Sequence, residues 1–204
     1  MAQGLQVGFL VLFHHVDIHK IDIKFYLDEG GELEPETWFR TFNSWISDTS
    51  DEVLVDVTDY SHVHAGPVTL LVGHDANYSI DNTDEMPGLL YQRKGRLEGS
   101  LSDRLRSVFA AALKACGRLE ADPLVEGRVR FRGDEVLLIV NDRLSAPNLE
   151  ETLEAIRPDL VELLKKLFSG AEYALELDPD PKHRFSLRVK VSGSFEIDNL
   201  LENI

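Results

Sequence analysis

The chain has 204 residues, 43% apolar and 28% charged, which suffices for a sizeable core without metal or disulfide support. Acids outnumber bases 36 to 21, and the net charge of −15 excludes a non-specific nucleic-acid binder. A single cysteine excludes an internal disulfide or a cysteine-rich zinc site, and no apolar run reaches the ~18 residues of a membrane span.

The first predicted strand covers 5–13, where Val7, Phe9, Val11 and Phe13 alternate with other apolar residues. No basic segment precedes it and no small-residue cleavage site follows, so the expected location is cytoplasmic. A turn at His14 to Asp17 leads to a second strand over 18–27. There Ile21, Ile23, Phe25 and Leu27 face one way, with Lys20, Asp22 and Lys24 opposite. Pro35 suits a first helical position, and Trp38, Phe42, Trp45 and Ile46 follow at helical spacing over 35–47. Strands are predicted over 52–59 and 67–74, then a polar linker from Asp81 to Gly88.

A short strand and a long helix fill 89–120. Ser100 or Ser102 caps the helix, and Cys116 on its apolar stripe reads as a buried structural thiol. The last third adds strands over 127–132 and 135–141, a helix over 148–168, and strands over 171–178 and 184–191. Pro158 should kink or split that helix, because proline removes a hydrogen bond and crowds the preceding turn. Arg184, Arg188 and Lys190, opposite Glu172 and Glu176, suit cross-strand ion pairs on a wet sheet face that could also serve self-association.

Shifting the sequence by 117 residues lays Leu70 to Asn82 over Leu187 to Asn199. The expected fold is therefore α+β, with two similar ββαββ halves at 1–88 and 121–204. Residues 89–120 bridge them into one compact unit of largely antiparallel sheet, with helices packed on one face.

Six of the seven histidines lie in the first 74 residues. The trace puts His14, His15 and His74, with Asp75, at one end of the sheet. That set could hold a divalent metal such as zinc or iron. His62 and His64 fall at the other end, a seven-residue strand and its flanks away from His74. They follow Asp59 and Tyr60, which can orient imidazoles, and precede Gly66-Pro67, which stiffens the loop. His62, His64, Tyr60 and Asp59 are the expected catalytic group; an ordinary hairpin turn explains the same residues. Arg93, Lys94 and Arg96 form a positive island suited to a small anionic ligand, or to neutralising nearby acids.

The expected function is a soluble small-molecule-binding protein or enzyme with a histidine-containing site on the first half. The alternative is a non-catalytic acidic interaction or assembly protein. Residues 1–88 carry 16 acids against 3 bases, which suits a basic partner. A homo-oligomer is expected on either reading; nucleic-acid and membrane partners are not.

Overall fold

The computed structural model describes residues 17–31, 33–63 and 66–204. The first predicted strand, with His14 and His15, lies outside them, as does His64.

The fold is α+β. Eight strands form one antiparallel sheet in the order β2-β3-β4-β5-β1-β6-β8-β7. In chain order they are β1 (Ile21–Leu27), β2 (Leu54–Asp59), β3 (Pro67–Gly73), β4 (Ala76–Asp81), β5 (Gly88–Arg93), β6 (Phe131–Val140), β7 (Tyr173–Leu177) and β8 (Phe185–Val191). The helices are α1 (Pro35–Asp48), α2 (Leu101–Ala121), α3 (Glu150–Leu167) and α4 (Ile197–Asn203).

Local chemistry explains the helix ends. Pro35 opens α1, where its missing N–H costs nothing. Ser100 caps α2 in a reciprocal box with Asp103, satisfying two donors that would otherwise be orphaned. α3 runs unbroken through Pro158, so the expected split does not occur. Pro158 and Glu154 are both exposed, and water can take up the Glu154 carbonyl that proline leaves without its usual donor.

One core lies between the helices and one face of the sheet. β1 contributes Ile21, Ile23, Phe25 and Leu27 to it, β6 contributes Val136, Leu138 and Val140, and β8 contributes Phe185, Leu187 and Val189. α1 packs on β2 and β3, α2 on β5 and β1, and α4 on β6, while α3 lies against α2 and α4. Cys116 is fully buried in this core, and burial pushes its thiol well above the usual range. No helix among the described residues is long and apolar enough to cross a membrane.

The sheet does not bear out the 117-residue correspondence. The shift equates β3 with β8, but β3 lies between β2 and β4 whereas β8 lies beside the central strand β6. By position the partner of β8 is β5, which lies beside the other central strand, β1. Of the two strands expected at 127–132 and 135–141, residues 127–130 are not strand, and the rest runs on as the single strand β6, Phe131–Val140. Gly133 and Asp134, which separate the two expected strands, lie inside β6, where Gly133 permits a close approach. A Cβ at Gly133 would collide with the Phe195 backbone carbonyl. Gly133→Ala is accordingly expected to destabilise the fold by about 1–3 kcal/mol, read as a lower urea midpoint at unchanged slope. A further strand, β4, occupies 76–81, between the strand expected over 67–74 and the linker expected from Asp81.

Candidate functional site

The sheet face that carries no helix among the described residues, called the helix-free face, is the unusual part of the molecule. A strand facing water on one side should expose every second residue, yet all seven residues of β1 are buried. On the helix-free side these are Asp22, Lys24 and Tyr26. Their neighbours set the scene. Asp22 sits between Gln92 of β5 and Ile139 of β6, and Lys24 between Leu90 and Leu137. Ser79, Asp81 and Glu135 are buried on the same face.

Lys24 donates to Asp81 Oδ1 at 2.6 Å, with both side chains buried. The lysine must cross β5 to reach β4, and it does so over Gly88, which pairs with both Tyr26 and Asp81. A Cβ on Gly88 would collide with the Phe25 carbonyl and press on Lys24 Cε at 3.0 Å. Burial lowers the lysine's affinity for its proton, and Asp81 opposes that effect.

Asp81 has a second task. Its carboxylate accepts from the Thr83 N–H at 3.1 Å and the Thr83 hydroxyl at 3.0 Å. This fixes a 3-10 turn over Thr83–Glu85, in which Asp84 and Glu85 take left-handed backbone angles, φ 60° and 56°. Neither is glycine, so the turn is strained.

Two arginines complete the set. Arg188 donates to Glu135 Oε1 at 2.7 Å, and its guanidinium lies 5.4 Å from the centre of the Tyr26 ring. Arg132 holds the other Glu135 oxygen at 2.7 Å. Burial pushes the Tyr26 hydroxyl up to about 12. Arg184 is less committed: its nearest carboxylate oxygen is Asp22 Oδ2 at 3.7 Å. Asp22 Oδ1 is buried without a hydrogen-bond partner, and desolvation pushes this carboxyl up to about 6.

Part of this set, Lys24, Tyr26, Asp81, Asp84, Arg184 and Arg188, walls a cavity of about 280 Å³. A second hollow of about 530 Å³ continues over β6, β8 and β7, sharing Asp84, Leu137, Ile139 and both arginines. His183 stands on its rim, exposed, 3.0 Å from Asp178, whose carboxylate raises the imidazole's pKa.

The expected site residues divide between two ends of β3. Asp59, Tyr60 and His62 lie at the β2–β3 connection. Asp59 accepts from the Ser61 N–H at 2.7 Å, and the Tyr60 and His62 rings stack 6.3 Å apart. Gly66 and Pro67, which end this loop, line the 280 Å³ cavity, so the loop adjoins it. His74 and Asp75 form the β3–β4 turn at the other end. The basic island meets them there. Lys94 donates to the Gly73 carbonyl through its ammonium and to the Asp75 carbonyl through its backbone, and Arg93 is 3.9 Å from Asp75. Arg96 instead reaches Asp17 at 3.4 Å. Asp17 also pairs with Arg104 at 2.6 Å and His19 at 3.1 Å, which hold its carboxyl near about 2. No group of three or more histidine, cysteine or acidic side chains placed to hold a metal occurs among the described residues.

Lys24, Asp81, Tyr26 and Asp22 escaped attention as site residues because alternation marks a face as polar without saying whether it is wet. The one legible signal was the coincidence of acids and bases on that face, in Asp22, Lys24, Arg184 and Arg188. No protein-family model and no curated protein matches this chain.

Proposed function

We propose that the chain binds a small anionic molecule in the hollow of the helix-free sheet face. One observation supports this reading above others: Asp22, Lys24, Asp81 and Glu135 are all nearly inaccessible on a face that no helix among the described residues covers. Burying charge costs several kcal/mol per ion before pairing, and apolar residues would stabilise the face more simply. Ionic groups gathered around a cavity suit a ligand that exchanges water for fixed charges.

The anion preference comes from Arg184. It carries guanidinium donors at the cavity wall without a carboxylate in hydrogen-bond range. Lys24 has donors beyond the one given to Asp81. The loop carrying His62 and His64 would contribute from the rim, consistent with its last two residues lining the cavity. Asp22 does not line the cavity but stands 3.7 Å from Arg184, which does, so its protonation state near neutrality sets the charge beside that guanidinium.

The test is a thermal-shift and calorimetric screen of inorganic phosphate and short mono- and dicarboxylates. We expect at least one to raise the melting temperature saturably. Arg184→Gln should weaken it about tenfold, the worth of one charge-assisted hydrogen bond, with the free protein's stability unchanged. His62→Ala with His64→Ala should weaken it less. No saturable anion, or one indifferent to Arg184→Gln, sinks the proposal.

A second reading, an acidic interaction protein, draws on β2. This edge strand carries Asp56 and Asp59 and is preceded by Asp51 and Glu52, and Val53 just before it and Val55 within it are among the few exposed large apolar residues. Such an edge suits a basic extended partner, a second copy's basic face included. Association of that kind should fall steeply with added salt, whereas self-association insensitive to salt would count against it.

A further inference from the structure

Resting on the sheet-face cavity as the binding site, we propose that its ligand is an amino dicarboxylate. Arg184 and Arg143 hold its two carboxylates, and Asp84 holds its ammonium.

The space comes in two adjoining parts. The 280 Å³ cavity and the 530 Å³ hollow share Thr83, Asp84, Leu137, Ile139, Arg184 and Arg188 on their walls. Their size suits a small organic ligand. Half-buried Leu137 borders both parts and offers apolar surface to the methylenes that separate a ligand's charged ends.

Both signs of charge line this space, so net charge alone does not define the ligand. Pairing does. Lys24 is engaged by Asp81 at 2.6 Å, and Arg188 by Glu135 at 2.7 Å. Glu176 takes Lys190 at 2.9 Å, and Asp178 takes His183 at 3.0 Å. Partners at these distances largely cancel each other's charge for a third group. Three charged side chains of the walls remain. Arg184 has Asp22 Oδ2 at 3.7 Å and no carboxylate closer. Arg143 and Asp84 are exposed and make no ion pair among the described residues.

Their neighbours locate the last two. The charge of Asp84 helps Lys24 keep its proton, so this carboxylate stands near the lysine of the inner cavity. The charge of Arg143 opposes protonation of His183, so this guanidinium stands near the rim of the outer hollow. Arg184 lines both parts. The walls thus offer two guanidiniums and one carboxylate, and the complement is a molecule with two anionic groups and one cation. Each guanidinium brings one positive charge and a planar fork. That matches a carboxylate rather than a phosphate monoester, which carries nearly two charges. A lone exposed carboxylate suits the compact ammonium.

The test is calorimetric titration of the whole chain. Aspartate and glutamate are compared with succinate and glutarate, the same skeletons without the ammonium. We expect at least one amino acid to bind saturably and about tenfold more tightly than its own diacid, the worth of one charge-assisted hydrogen bond. Asp84→Asn should erase that preference without weakening the diacid. Asparagine accepts left-handed backbone more readily than most residues, so it keeps the turn at φ 60°. Arg143→Gln should weaken amino acid and diacid alike by about tenfold. Equal binding of amino acid and diacid overturns the proposal, as does a preference that survives Asp84→Asn or binding indifferent to Arg143→Gln. Diacids that bind through Arg184 with no gain from the ammonium overturn this inference alone and leave the anion site standing. If phosphate and every carboxylate fail to bind, both fall. Should Asp84→Asn fail to fold, the comparison of each amino acid with its diacid in the parent protein decides.

Discussion

Asp81→Ala is expected to cost about 3–5 kcal/mol of stability, the range for removing one partner of a buried ion pair. Asp81 is the only carboxylate within hydrogen-bond range of Lys24 among the described residues, at 2.6 Å, and Lys24 is 2% exposed. The substitution leaves an ammonium in a desolvated place and frees the strained turn at Thr83–Glu85, which Asp81 also holds. Two further measurements separate these effects. The stranded lysine binds its proton less well than in the unfolded chain, so the unfolded state takes up more protons than the native state. Stability of Asp81→Ala should then rise as pH increases from 7 toward 10. Lys24→Met combined with Asp81→Ala should recover most of the loss, since an apolar replacement of a whole buried pair is often neutral. Urea unfolding reads all three, and a loss under 1 kcal/mol in the single variant would mean that water reaches the ammonium after all.

The sequence already contained the architecture where one physical period dominated. Ile21 to Leu27 and Phe185 to Val191 alternate cleanly, and both are strands facing the core as expected. Ser100 and Pro35 marked helix starts because each satisfies or removes an orphan N–H. Alternation also runs through Ala76, Tyr78 and Ile80 against Asn77, Ser79 and Asp81, but polar residues and the following turn hid it, so β4 was missed. Gly133 misled in the opposite sense. A glycine beside aspartate looks like a turn, yet its reason is the backbone of Phe195 pressed against it. That contact spans more than sixty residues and leaves no local trace.

The site was less legible for the same reason. Whether Lys24 is wet depends on how far the sheet curls, on the Thr83–Glu85 turn, and on Gly88 giving the lysine passage to Asp81. None of these is a property of residues near Lys24 in sequence. The histidines drew attention because their chemistry is versatile. His62 lies exposed beside the loop segment that borders the cavity, and His74 lies exposed at the far end of β3, so their type alone did not locate a site.

Asp22→Asn is expected to stabilise the protein by about 3 kcal/mol at pH 8 and by little below pH 4. Desolvation raises this carboxyl from 3.8 to about 6, against weaker opposing contributions from Gln92 and Arg184. Each unit is worth about 1.4 kcal/mol. Because the folded pKa is the higher one, the native state holds more protons than the unfolded state between about pH 4 and 6. Stability due to Asp22 therefore falls as pH rises through that window and stays low above it. An uncharged amide of nearly the same shape avoids the penalty, and its oxygen can still accept from Gln92, now 3.5 Å from Asp22 Oδ2. Other groups pull differently with pH. Asp17, held near about 2, stabilises down to acid pH and is lost as pH falls through that value; its contribution cancels when the two proteins are compared at each pH. The difference in unfolding free energy between Asp22→Asn and the parent, followed from pH 4 to 8, should rise through pH 5–6 and then level. A flat difference would show that the Asp22 carboxyl is solvated. The ionisable carboxyl beside Arg184 would then lose its role in the proposed site. A rising difference that grows when a cavity-bound anion is added would tie the Asp22 proton to the ligand, since a neighbouring negative charge disfavours the ionised carboxyl further.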